Sequence, residues 1–216
     1  PMHMHRDEET GYHRAMGHLL VLYTQVDQFI METCAARIAF APSEKAKFGL
    51  AKQVGDESRH VAIQKRWIEQ FGVDATPVIG DRALEQLQAH FVELDWVDYL
   101  TDLYLVIEAL GSQAVEEVVP LADTGTRESL RIPLQDELDH VAFGLAELRD
   151  ALAVLPPAER EARLRAMPGR IQSMIDRLED LVFPCLVWLP EVGTVFVAIL
   201  STLHSTRDTL LARHAA

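Results

Sequence analysis

A seven-residue pattern occurs twice in the chain at a constant offset of 80: Asp56-Glu57-Ser58-Arg59-His60-Val61-Ala62 and Asp136-Glu137-Leu138-Asp139-His140-Val141-Ala142, identical at five positions. Glu and His three apart share one helical face about one turn from each other, so both can reach the same ion. The Val-Ala that follows continues an apolar stripe and sets the charged residues beside a core-facing side. One Glu-x-x-His arises often by chance and reads as a solvated helix surface. Two of them, on helices of matching position, form a strong signal for a shared metal site.

Helical punctuation dominates the rest of the chain, and strand alternation is nearly absent. A first helix is expected over 9–40, broken by Ala41-Pro42-Ser43, with Ser43 and Glu44 opening a second that Gly72 stops. A connection with a short polar helix over 81–90 leads to a third long helix over 95–121. A fourth follows over 126–155, with Pro133 inside it as a kink. Pro156-Pro157 opens a fifth helix, and the residues after Pro190 form a sixth. Short loops within each pair and one long connection between pairs resemble the ferritin-like antiparallel four-helix bundle. The expected fold is therefore all-α. It is a single domain over 1–216, with a metal-binding core at 9–155 and a carboxy-terminal helical extension at 156–216.

A dinuclear site of this kind also needs one carboxylate from each of the other two helices. Residues equidistant from a tight helix–helix loop lie at the same height. The third and fourth helices turn near 122–123, which places the partner of Glu137 near 108. Glu108 stands there, within the apolar run Leu105-Val106-Ile107-Glu108-Ala109-Leu110. Burying a carboxylate in such a run is costly without a partner, and a metal ion supplies one. The first pair turns near Pro42, so the partner of Glu57 belongs near 26, and Asp27 is the acidic residue at that height. Glu32 is the competitor, but it lies about 140° round the helix and more than one turn lower. Tyr23 and Tyr104 each precede their carboxylate by four residues, on the same face.

The expected ligands are Asp27, Glu57, His60, Glu108, Glu137 and His140. Four carboxylates and two neutral imidazoles balance two divalent ions. An oxygen-rich set with one imidazole per ion suits iron, with manganese in one or both positions as the substitute. The two cysteines, Cys34 and Cys185, exclude a thiolate zinc or rubredoxin centre and a disulfide framework.

This ligand pattern resembles the ferritin-like diiron carboxylate superfamily across roughly residues 17–153. An Asp as the first ligand resembles the radical-generating subunit of class I ribonucleotide reductase. Asp56-Glu57-Ser58-Arg59-His60 resembles the Asp-Glu-x-Arg-His motif of bacterial multicomponent monooxygenase hydroxylases. The stretch 45–72 is similar to catalytic subunits of phenylacetyl-coenzyme A epoxidase. In those families the Asp before the ligand Glu accepts a hydrogen bond from a ligating His, which implies that role for Asp56 and Asp136. The second motif has Asp139 where the monooxygenases have Arg, so the Arg role is implied for Arg59 alone.

Other features have plainer readings. Tyr23 and Tyr104 suit radical chemistry, but a core tyrosine bonded to a carboxylate accounts for them better. Cys34 reads as a buried inert thiol. Gly111, Ser112 and Gly144 either leave room for oxygen or substrate or serve close helix packing. His3, His5, His13 and His18 lie too near the terminus to argue for a second metal site.

Charge and hydropathy bound the function. Lys plus Arg number 20 against 33 Asp plus Glu, a formal charge of −13, which excludes a passive electrostatic reader of nucleic acid. The apolar stretch 181–200 is about long enough to span a bilayer. Pro184, Pro190 and Glu191 divide it into two core-facing pieces instead. Low cysteine use and a start without signal-peptide character point to the cytoplasm. The resulting expectation is an oxygen-dependent diiron oxidase or oxygenase. It would act on a small organic substrate as a homodimer, with electrons from a reductase or ferredoxin because no flavin or nicotinamide fingerprint is visible. The alternative is a bacterioferritin-like ferroxidase, which the long tail disfavours.

Overall fold

A computed structural model describes residues 6–186. Helices α1 (Arg6–Arg37) and α2 (Glu44–Phe71) form one pair, and α3 (Asp81–Glu93) crosses over. A rod made of α4 (Trp96–Leu100), a π-helical segment (Thr101–Glu108) and α5 (Ala109–Val118) then pairs with α6 (Thr124–Ala153). Helix α7 (Pro157–Leu186) packs against the π-helical segment. No strand occurs among the described residues, and the fold is an all-α helical bundle. The helix expected after Pro190 and most of the run 181–200 lie outside the described residues. No helix among the described residues is long and apolar enough to cross a membrane.

Local chemistry sets the ends. The Ser43 hydroxyl accepts from the Ala46 amide at 3.0 Å and caps α2. Gly72 closes the same helix with φ of 66°, a left-handed conformation that a side chain would strain. Asp95 caps α4 by accepting from the Asp98 amide at 2.9 Å, and Asp123 caps α6 by accepting from Thr126 at the same distance. Pro133 sits within α6 and is buried there without ending the helix.

The rod expected to be α-helical over 95–121 departs from that expectation in its centre. Residues 101–108 form a π-helix, with hydrogen bonds reaching one residue further than in an α-helix. Seven of these eight residues are buried, all but Leu105. A segment enclosed on every side must send successive side chains to different partners. Asp102 meets α3 and α7, Tyr104 meets α2 and α6, and Glu108 faces the bundle axis. A hydrophobic run by itself carries no sign of that widening.

The apolar core comes in two clusters. One gathers Phe29, Ile30, Leu50, Tyr99, Leu100, Leu103 and Leu148, with Met174 and Ile175 of α7. The other gathers Met16, Leu19, Leu20, Tyr23, Ile68, Val115, Val118 and Leu130. Along α1 and α2 the ionisable residues Asp27, Glu57 and His60 fall between these two clusters.

Candidate metal centre

Four rods each contribute to one buried polar cluster. Asp27 comes from α1, Glu57 and His60 from α2, Glu108 from the last residue of the π segment, and Glu137 and His140 from α6. All six are buried, and Glu57, His60 and Glu108 have no exposed surface at all. Their ligand atoms form two groups, each with every donor within 4.8 Å of the others. One contains Glu57, Glu108, Glu137 and His140; the other contains Asp27, Glu57 and His60. Glu57 belongs to both. Glu32 stays outside: it is exposed and receives hydrogen bonds from Gln28 and Gln88.

The imidazoles face inward through Nδ1. His60 Nδ1 lies 3.1 Å from Glu57 Oε2, 3.7 Å from Glu137 Oε1 and 3.9 Å from Asp27 Oδ2. His140 Nδ1 lies 3.3 Å from Glu57 Oε1 and 3.4 Å from Glu108 Oε2. Their outward nitrogens are held by the aspartates of the motifs, crosswise. His60 Nε2 is 3.0 Å from Asp136, and His140 Nε2 is 3.1 Å from Asp56. Each aspartate thus orients the histidine of the other helix. Arg59 bridges the two aspartates, donating to Asp56 at 3.0 Å and to Asp136 at 2.6 Å, and Lys52 adds a 2.7 Å bond to Asp56.

Two buried glutamines complete the arrangement, and neither is among the residues expected from the sequence. Gln53 donates to Glu108 and reaches Glu57 at 3.4 Å, while its carbonyl accepts from the Tyr104 hydroxyl at 2.6 Å. Gln64 donates to Asp27 at 2.5 Å, and its carbonyl accepts from Thr24 at 3.0 Å. The signal was present: 53, 57, 60 and 64 are successive positions of one helical stripe, flanked by the apolar Leu50 and Ile68.

The two tyrosines differ. Tyr104 is bonded to Gln53 rather than to a carboxylate. The Tyr23 hydroxyl is buried with no hydrogen-bond partner among the described residues. Burial raises the pKa of Tyr23, and the negative charges of Asp27 and Glu137 raise it further. Cys34 is fully buried and accepts from Tyr99 at 3.6 Å, and burial pushes its thiol up, as an inert core cysteine requires. The small residues serve packing. A Cβ on Gly144 would stand 2.1 Å from the Tyr104 ring, and one on Gly111 would stand 3.3 Å from Glu137 Oε2. Ser112 turns its hydroxyl to the Ala109 carbonyl.

Electrostatically the cluster holds more negative charge than a dry interior tolerates. Burial, then repulsion from Glu57, pushes Asp27 up to about 8. Burial, then Glu108 and Glu57, pushes Glu137 well above the usual carboxylate range. Burial opposes charge on the imidazoles too, yet the carboxylates win. Glu108 and Glu57 raise His140 to about 10, and Glu57 with Asp27 raises His60. Glu57 itself is lowered against the cost of burial by His140 and His60. The cluster therefore draws in positive charge, as protons or as metal.

No protein-family model matches the chain, and no curated protein matches it. The donor set itself fits metal. Glu108 Oε2, Glu137 Oε2 and His140 Nδ1 are buried without a hydrogen-bond partner among the described residues, and all three belong to the group that converges on Glu57. Unpartnered buried acceptors cost about 1–3 kcal/mol each, and a shared cation removes that cost. The cluster could hold a metal ion in either group.

Proposed function

We propose that this chain is a non-haem diiron protein that uses dioxygen to oxidise a small organic substrate, with electrons from a separate reductase or ferredoxin. The observation that carries this reading is the sharing of Glu57 between two converging donor groups. Asp27, Glu57 and His60 would hold one ion, and Glu57, Glu108, Glu137 and His140 the other. Ferrous ions bound there would supply the electrons that activate dioxygen.

The protein's own part follows from its contacts. Asp56 and Asp136 accept from the outward nitrogens of the imidazoles, which fixes the tautomer with Nδ1 free to ligate and raises ligand basicity. Gln53 and Gln64 hold Glu108 and Asp27 through neutral amides, leaving the net charge of the ligand set unchanged. Four carboxylates and two neutral imidazoles match two divalent cations, and an oxygen-rich set with no thiolate favours iron or manganese over a structural zinc. The apolar clusters on either side limit water.

Metal analysis of protein from iron-supplemented cells tests the reading, followed by anaerobic reduction and oxygen exposure under optical monitoring. About two irons per chain and an oxygen-dependent absorbance change are expected. Less than one bound transition metal per chain after such loading defeats it. Sedimentation adds a check, since a homodimer accords with an enzyme and a hollow multi-subunit shell with iron storage.

A further inference from the structure

Helix α7 reaches the bundle through a charge network centred on a buried carboxylate that ligates nothing. Asp102, 1% exposed, is the second residue of the π segment. Arg170 of α7 grips it with both arms, Nε to Oδ1 at 2.7 Å and Nη2 to Oδ2 at 2.7 Å. His90 of α3 reaches Oδ2 at 2.8 Å. The third guanidinium nitrogen of Arg170 donates to Asp98 at 2.8 Å. Arg163, about two α7 turns away on the same side, donates to Asp98 at 3.0 Å and Asp95 at 2.5 Å, both of which precede the π segment.

Glu108 is the last residue of that same segment, six positions beyond Asp102. A π-helix turns less per residue than an α-helix, and isolated π segments are rare because the α form is the more stable one. Were residues 101–108 to relax into α-helix, Glu108 would rotate relative to Asp102 by about a third of a turn, summed over six residues. Its carboxylate would then leave the bundle axis. Gln53 holds the far end through Glu108 and Tyr104, and a contact that fixes the first turn opposes the rewinding from the other end. A bidentate arginine on a buried carboxylate does so, being strong, planar and directional.

We propose that Arg170 is a positioning residue for the metal centre: by clamping Asp102 it keeps the π segment wound and Glu108 aimed at Glu57, Glu137 and His140. This rests on the dimetal reading above and adds an asymmetry to it. The clamp supports the donor group that contains Glu108 and leaves the Asp27–Glu57–His60 group untouched.

Cobalt(II) titration followed by its visible absorption, on the full chain, tests the asymmetry. Wild type is expected to bind two equivalents. Arg170→Met should weaken one of them by about tenfold or more and leave the other. Arg163→Gln, which removes α7's bonds to Asp95 and keeps the Arg170 clamp on Asp102, should bind both as wild type does. Adding Asp27→Asn to Arg170→Met should weaken the remaining equivalent, which assigns the one lost to the Glu108 side. If Arg170→Met fails to give a helical circular-dichroism spectrum, Arg170→Lys carries the test, since it keeps the charge and loses the fork. Unchanged binding of both equivalents overturns the proposal, as does equal weakening in the Arg163 and Arg170 variants, which marks a general loss of α7 docking. Fewer than two equivalents in wild type overturns the dimetal reading first and this inference with it.

Discussion

His60 on α2 meets Asp136 on α6 at 3.0 Å through Nε2, while Asp56 on α2 meets His140 on α6 at 3.1 Å. The two motifs are thus cross-braced, and each half supplies the support for the other half's imidazole. Asp136→Asn should therefore act on the Asp27–Glu57–His60 group, and Asp56→Asn on the group containing His140. Each is expected to reduce metal affinity about 10- to 100-fold at its own group, by competitive chelator titration, with helicity retained. Loss confined to the group on the mutated helix's own histidine would contradict the crossing.

Removing an imidazole is more severe. His60→Ala or His140→Ala should lower the bound metal to about one ion per chain or less and abolish turnover, while far-UV circular dichroism stays helical. Metal content by elemental analysis is the readout. If both variants bind two metals normally, the ligand assignment is wrong.

The metal-free protein should lose stability as pH rises. Asp27 is raised in the fold to about 8 from an ordinary value of 3.8, so between those values the folded state holds a proton the unfolded chain has released. Stability then falls with increasing pH across that window. His140 works the same way: its charge stabilises the fold fully below about 6.5, and this is lost as pH passes about 10. Glu57, lowered in the fold, opposes the trend only at acid pH. Thermal melting in the presence of a chelator should show Tm decreasing from about pH 6 to pH 9. Metal competes with these protons, so the rise in Tm on adding manganese(II) should grow over the same range. A metal-free Tm that climbs with pH would contradict the proton-sharing account.

Much of this arrangement is legible in the sequence. The Glu-x-x-His pairs, the turns near Pro42 and Asp123, and equal height from those turns single out Asp27 and Glu108, and the structure brings both to the cluster. These inferences use only helical rise and loop position, which sequence encodes directly. Gln53 and Gln64 were legible by the same periodicity but carry no charge, so nothing drew attention to them. The π segment was not legible, because its extra width follows from Asp102, Tyr104 and Glu108 finding partners on four different helices. The Arg170 clamp was hidden for the same reason: Asp102 and Arg170 are 68 residues apart, and ion-pair partners at that range follow from packing.

Glycine substitutions separate packing from backbone effects. Gly144 on α6 faces the ring of Tyr104, and a Cβ there would stand 2.1 Å from its Cγ and 2.2 Å from its Cβ. The ring is fully buried and its hydroxyl is tied to Gln53, so it cannot swing aside without breaking the bond that supports Glu108. Gly144→Ala should destabilise by about 1–3 kcal/mol in chemical denaturation, the usual range for overpacking, and should weaken metal binding as well. Gly55 is the contrast. It lies on the exposed side of α2 with nothing within 4 Å of the added Cβ, so Gly55→Ala should stabilise by about 0.5–1 kcal/mol through helix propensity alone. The pair of opposite signs, read by urea denaturation on the same preparation, distinguishes a tightly filled inner face from a helix that is merely glycine-weakened. A neutral Gly144→Ala would mean that the Tyr104 ring has room to move, and that the inner face of α6 offers space beside the metal centre.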